Sequence, residues 1–192
     1  IAGLYEQQFL KHAQAAARLE QVVETDPMND EAFTALGRCY HHERRWLDLV
    51  GVYERHINAT DERATKVTLY ENIASVYAEH IQDHERALDA YLNVVDLDPQ
   101  HVSALEALAR LYDRMEDPGS AIDYMTRVAE LTVDGAKRVE AFFQIGRQLE
   151  EKLNDRYQAR ERFEQALDLD PTHVPTLSAL RKIAVDEEDW TT

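Results

Sequence analysis

Eight histidines, one cysteine and 37 carboxylates are the side chains with which this chain could do chemistry. Their spacing points away from catalysis. His41 and His42 are adjacent, so on a helix they project about 100° apart and make poor joint ligands for one ion. His80 and His84 have a four-residue spacing that suits a metal, but a turn is predicted between them, and neither a cysteine nor a carboxylate pair completes a ligand set. His101 and His173 both follow an Asp-Pro dipeptide two residues on, a recurrence that suits a structural role at a helix start. Cys39 lies beside Tyr40 in a predicted helix interior and reads as a small buried hydrophobe rather than a nucleophile. The carboxylates flank no glycine-rich phosphate loop, nucleophile elbow or Cys–His arrangement. The run Asp186-Glu187-Glu188-Asp189 reads as solvated. The expectation is a chain with no catalytic residues, no metal and no cofactor.

Charge narrows the partners further. The formal net charge is −16. Such a surface repels phosphate backbones and anionic lipid headgroups, so nucleic acid and membrane are not expected ligands of this segment. No 18-residue apolar run and no secretory leader occur in the sequence, and the single cysteine forms no internal disulfide. These features favour a cytoplasmic setting.

The elements that position these residues come from a repeat. Residues 73–112, shifted forward by 72 places, match residues 145–184 at 13 of 40 positions without a gap. Shifted back by 72, Ile73, Tyr77, Ala87, Pro99, Leu108 and Tyr112 fall on Ile1, Tyr5, Ala15, Pro27, Leu36 and Tyr40. Self-similarity at a fixed period marks an array of stacked units, none of which buries its apolar face alone. Apolar residues recur at helical spacing, as in Tyr70, Ile73 and Tyr77, and no period-two run of β-branched residues appears. Five prolines and six glycines punctuate the chain. Asp26-Pro27, Asp98-Pro99 and Asp170-Pro171 each stop a helix, and Asn29 or Asp30 and Asp117-Pro118 supply start signals. Helices are predicted over 12–24, 30–42, 46–58, 63–81, 84–96, 101–115, 118–131, 135–153, 156–168 and 173–186.

Each 72-residue unit holds two helical pairs that resemble the tetratricopeptide repeat (TPR) family. Residues 30–62 carry its pattern as Phe33, Leu36, Gly37, Tyr40 and Tyr53, and residues 139–171 as Phe142, Ile145, Gly146, Ala159, Phe163, Ala166 and Pro171. Leu49 and Met125 depart from it, and residues 59–63 and 131–135 lack the final proline. The resemblance implies an all-α, right-handed superhelical solenoid of antiparallel helix pairs with a two-pair super-repeat. It would be one solenoid over residues 1–192: a partial repeat at 1–27, repeats at 30–62, 67–99, 102–134 and 139–171, and a partial repeat at 174–192. The small residues Gly37, Ala74, Ala109 and Gly146 would sit where helices approach closely.

In the TPR family, first helices line a concave surface. At one repeat position two places beyond the packing leucine or isoleucine stand Arg38, Arg110, Arg147 and Lys182, with Ser75 at the fifth. Arg114 extends this patch, and Phe143 is expected to turn toward the groove as an apolar anchor. Intrahelical pairing with Glu106, Glu150 and Glu151 is the alternative for these cations. The family's carboxylate-clamp positions hold Thr34, Arg38, Asn72, Ser103 and Ala107, of which only Asn72 fits, so a chaperone-tail receptor is disfavoured. The resulting expectation is a scaffold that binds a protein or peptide carrying acidic groups. The alternatives are a structural spacer that self-associates end to end, and a regulatory array attached to an enzyme. The ends read as open, as in a piece of a longer, bacterial-type array. Residues 1–9 would be the tail of a first helix, Trp190 would start a truncated one, and Leu180, Ile183 and Val185 would face a missing repeat.

Overall fold

A computed structural model of the chain describes residues 12–188. Ten α-helices account for most of them: α1 (His12–Thr25), α2 (Asp30–His42), α3 (Trp46–Ala59), α4 (Arg63–Ser75), α5 (His84–Leu97), α6 (Val102–Arg114), α7 (Pro118–Leu131), α8 (Gly135–Leu153), α9 (Arg156–Leu169) and α10 (Val174–Glu188). No strand occurs among the described residues. Helix starts follow the local signals. Asn29 accepts from the Ala32 amide, Asp83 from Arg86, Asp117 from Ser120, Asp134 from Lys137 and Asp155 from Gln158. Each cap satisfies a donor that the first turn leaves without an intrahelical partner.

The period is written into the backbone as well as the side chains. The only non-glycine residues with positive φ among the described residues are Arg44, Gln82, Glu116 and Asn154, which form two pairs 72 residues apart. Each ends the first helix of a pair. At Arg44 the amide donates to the His41 carbonyl and the next amide to the Tyr40 carbonyl, and Glu116 and Asp117 repeat this toward Asp113 and Tyr112. This left-handed closure consumes carbonyls that the helix end would otherwise leave bare.

One element departs from the predicted helix over 63–81. Beyond Ser75 the ladder widens to a π-turn, Val76–Ile81, and ends at Gln82 with φ 62°. At the equivalent place α8 continues as α-helix for 19 residues. Both first helices are nevertheless long, as the repeat spacing predicts.

Contacts divide the chain into two compact units between Pro99 and Gln100. In the first unit each of α1 to α5 packs on its neighbour in sequence; in the second, α6 to α10 do the same. The first core contains Leu36, Leu49, Val52, Ala74 and Val94, all fully buried. The second gathers Phe142, Ile145, Leu149, Phe163 and Ile183. Two expectations are corrected here. Ile183 does not face an absent repeat: it is fully buried, because α10 lies on α9 and turns Ile183 into the Phe163 cluster. Leu180 packs at the edge of the same cluster, while Val185 is 49% exposed. The space over Gly146 is filled by a ring, not by a neighbouring backbone: a Cβ built there would lie 2.5 Å from Phe163 Cε1. The segment 1–9 and Trp190 lie outside the described residues.

A polar lock ties three helices of the first unit. The Tyr40 hydroxyl donates to Glu20 at 2.7 Å, and the Arg55 guanidinium donates to both Glu20 oxygens at 2.7 and 3.0 Å. Arg45 lies over the Tyr40 ring at 4.4 Å. The Arg55 hydrogen bonds hold Glu20 below its ordinary carboxylate value, and burial together with the Glu20 hydrogen bond pushes the Tyr40 phenol up to about 12. Folding therefore weakens the hold on the Glu20 proton. That contribution is present at neutral pH and is lost as pH falls through the carboxylate range. Tyr40 behaves oppositely: its contribution is intact below its ordinary value of 10.0 and is lost as pH rises toward about 12. In Glu20→Gln, denaturant midpoints followed across pH are expected to flatten on both flanks. Unchanged flanks would mean that the lock contributes nothing to folding.

Candidate functional site

Each unit carries a cleft between the first helices of its successive pairs. In the first unit α2 and α4 form the two walls, with α3 as the floor, and the cleft encloses about 580 Å³. Phe33 and Leu69 supply apolar surface, and Thr34, Thr68 and Asn72 supply neutral polar groups. Arg38, His41, His42 and His56 complete the lining, along with Tyr53. No aspartate or glutamate is among the described residues that line it, although acids outnumber bases along the chain by 37 to 21. Burial raises the Tyr53 phenol, which therefore stays an O–H group at neutral pH.

The imidazoles are held by stacking. His56 is buried, lies parallel to Phe33 at 4.6 Å, and has its Nε2 2.8 Å from Asp30 Oδ1. His42 is stacked on His12 of α1, ring centroids 4.6 Å apart. His41 sits edge-on to Trp46 at 5.3 Å and to His80 at 6.2 Å, and Trp46 lies flat on His80 at 3.9 Å. His80 belongs to the π-turn. Sequence reasoning paired His80 with His84 and so missed this cluster. The usable signal was the period: 72 residues on from His41 and His80 stand Asp113 and Lys152, which form an ion pair. No group of three or more His, Cys, Asp or Glu side chains among the described residues could hold a metal ion.

The second unit repeats the cleft at about 330 Å³. Seven lining positions correspond across 72 residues, among them Thr34 with Glu106, Arg38 with Arg110, His41 with Asp113, Tyr53 with Met125 and His56 with Val128. The second cleft thus has two carboxylates where the first has a hydroxyl and an imidazole. It is otherwise the more apolar of the two, with Val128, Ala141 and Ile145 in its lining.

The six residues singled out from sequence are distributed as follows. Arg38 and Arg110 line the first and second clefts at equivalent positions. Arg110 Nη1 lies 3.8 Å from Glu106 of its own helix. Arg147 donates to Glu151 through Nε at 3.1 Å and Nη2 at 2.5 Å. Lys182 Nζ donates to Glu150 at 2.7 Å and borders a separate shallow recess with Arg181 and Val185. Arg114 is exposed in the last turn of α6. Phe143 is half-buried against the rings of Phe163 and His173, centroids 5.9 and 5.5 Å away. Of the six, only Arg38 and Arg110 are among the residues lining the two clefts. No helix among the described residues is long and apolar enough to cross a membrane.

Comparison with known proteins agrees with the repeat reading. One tetratricopeptide-repeat profile matches residues 32–67 and 104–139, and a second matches 67–101 and 139–173. Protein bimA of Emericella nidulans is 26% identical over 118 residues, which is 60% of this chain and 14% of that protein. The chain therefore spans about a seventh of the length of that relative. Among solved structures, YrrB, described as a TPR protein with an unusual peptide-binding site, superposes with a TM-score of 0.54 at 19% identity, covering 94% of this chain and 88% of its own. MamA gives 0.56 at 21% identity over 89% and 95%. A tetratricopeptide repeat protein from Parabacteroides merdae gives 0.56 at 16% identity over 97% and 77%. At these identities the solved structures establish the fold alone.

Proposed function

Because the chain belongs to the tetratricopeptide repeat family, whose repeats generally mediate protein–protein interaction, we propose that it is a binding module that seats a peptide segment of a partner protein in the cleft between α2 and α4. The observation that carries this reading is the cleft itself. Its 580 Å³ and its mix of apolar surface and convergent polar groups have the dimensions and chemistry of a ligand site. Phe33 and Leu69 accept an apolar side chain. Thr34 and Asn72, on opposite walls, reach the backbone of an extended segment, and Arg38 takes a carboxylate through its planar fork. The YrrB description adds support by analogy only. The fold is typically a non-catalytic scaffold, in keeping with a role in binding.

The second cleft supports a subsidiary contact for a more apolar or mixed segment, with Arg110 at its wall. Arg114, Arg147, Lys182 and Phe143 are proposed as peripheral contacts outside the two clefts, since the ion pairs of Arg147 and Lys182 must open before either engages a ligand.

Selection of a random nonapeptide display library on the immobilised chain tests the reading. Enriched sequences are expected to bind at least about tenfold more weakly to Thr34→Trp/Thr68→Trp, which fills the cleft from two exposed wall positions. Failure to enrich any sequence, or binding indifferent to that variant, would overturn it.

A further inference from the structure

One position of the repeat loses a long side chain in the first unit and keeps it in the second. Arg18, Ala90 and Arg162 stand 72 residues apart, and three places beyond them stand Gln21, Asn93 and Gln165. In the second unit the long pair is joined: Arg162 Nη1 donates to Gln165 Oε1 at 3.0 Å, and the half-buried Arg162 has its Nε shut off from solvent. In the first unit Ala90 and Asn93 border a recess of about 290 Å³ enclosed by α3, α4, the π-turn and α5. It shares no lining residue with the α2–α4 cleft. We propose that this recess binds an arginine side chain of a partner protein, which takes the place that Arg162 fills from within the second unit. The site is additional to the peptide cleft and does not rest on it.

The lining suits a long cation. Ile73, Tyr77 and Ala90 are buried and Tyr70 is half-buried, and together they make an apolar, aromatic floor. Glu54, Arg86, Asp89 and Asn93 are exposed and make the rim. The volume is at the foot of the range for ligand sites, so it holds one long side chain rather than a whole segment. Arginine lays its methylenes along apolar surface while its head stays at the polar edge. Its guanidinium stacks on tyrosine faces, matches carboxylates through a planar fork, and is more weakly hydrated than an ammonium. The Asn93 amide nitrogen donates to the Asp89 backbone carbonyl at 2.8 Å, so its oxygen stands as the acceptor, the role of Gln165 Oε1 toward Arg162. A resident cation does not reverse the balance. Arg86 donates to the Tyr77 hydroxyl at 3.3 Å and lies 3.5 Å from Asp83. On the lining, Glu54 and Asp89 stand against that single guanidinium, which Asp83 also shares. The formal net charge of −16 draws a basic partner in the same sense.

The test titrates the ¹⁵N-labelled full chain with two end-blocked pentapeptides, Ser-Gly-Arg-Gly-Ser and the same peptide with citrulline in place of arginine. Citrulline keeps the planar shape and loses the charge. The arginine peptide is expected to shift the amides of Tyr70, Tyr77, Asp89 and Asn93, and to bind about fivefold more tightly than the citrulline peptide. Ala90→Arg, which writes the second unit's residue into the first, is expected to abolish those shifts and to leave the urea midpoint unchanged. Ala90 is 5% exposed, and a charge placed at so buried a position ordinarily lowers the midpoint. Glu54→Gln/Asp89→Asn, at exposed positions, is expected to bring the two peptides to equal affinity, and it gives a reading whatever Ala90→Arg does. Equal binding of both peptides to the unaltered chain, no binding of either, or shifts centred away from the recess would overturn the proposal. So would an arginine preference that survives Glu54→Gln/Asp89→Asn. A lowered midpoint in Ala90→Arg would overturn it as well, because the recess would then lack room for the side chain. Peptide capture by the α2–α4 cleft is read separately, from the random-library selection.

Discussion

Phe163→Ala is expected to destabilise the second unit by about 3–5 kcal/mol, the range for emptying a large aromatic site in a packed core. Phe163 is fully buried at the centre of a cluster that draws on α7, α8, α9 and α10, including Ile122, Phe142, Ile145, Leu149 and Ile183. Its ring also supports Phe143 from one side and occupies the space over Gly146. Removing it leaves a void that four helices must collapse into, and helices held at both ends by turns relax only in part. Denaturant unfolding of the full chain, with a fluorescence or NMR probe in each unit, measures the loss. A drop confined to the second unit is the expected pattern. A loss under about 1 kcal/mol would mean that the cluster is not the core its burial describes.

Gly146→Leu follows from the same contact and is the second large effect. Leucine is the better helix former by under about 1 kcal/mol, which alone would stabilise α8. A Cβ at Gly146, however, meets Phe163 Cε1 at 2.5 Å and Cδ1 at 2.7 Å. Those atoms belong to a ring with no room to retreat, so overpacking costs about 1–3 kcal/mol or more and decides the sign. Gly37 provides the contrast. There a Cβ would lie 3.4 Å from Leu49 Cδ1 and 3.5 Å from Tyr53 Cε1, near ordinary contact. Gly37→Ala is therefore expected to be neutral or stabilising by up to about 1 kcal/mol. Opposite signs for the two glycines, read from urea midpoints, are the predicted result. A stabilised Gly146→Leu would remove Phe163 from the space the structure gives it.

Why the helices were legible in the sequence and the cleft largely was not comes down to the range of the signals. Helix limits depend on local chemistry. Asn29, Asp117 with Pro118, and the Asp-Pro stops act within a few residues of where they stand, and all ten described helices lie within two residues of their predicted limits, apart from the π-turn that ends the 63–81 segment. The π-turn escaped because one widened turn leaves no periodic trace that a 3.6-residue pattern can register. That miss displaced His80. Its stacking on Trp46 depends on where the widened turn aims the side chain, and sequence spacing had linked it to His84 instead. The cations were read from their shared repeat position. That position is real, but it does not decide whether a cation lines a cleft, like Arg38 and Arg110, or lies outside both, like Arg147. Intrahelical ion pairs form at i, i+4 wherever the sequence offers them. Phe143 stands next to the packing residue Phe142, and the helical pattern assigns it no role inside. The structure gives it one, on Phe163 and His173.

The repeat also carried information beyond the fold. Corresponding positions place two clefts, of about 580 and 330 Å³, with different ionisable linings in a single chain. The most direct test is a ¹H–¹⁵N titration of the full chain with a nonapeptide enriched from the random library. The account predicts that the largest shifts fall on Thr34, Arg38, His41 and Asn72, with little change at Glu106, Arg110 and Asp113. Largest shifts in the second cleft, or at exposed Val174 and Leu177 of α10, would contradict it.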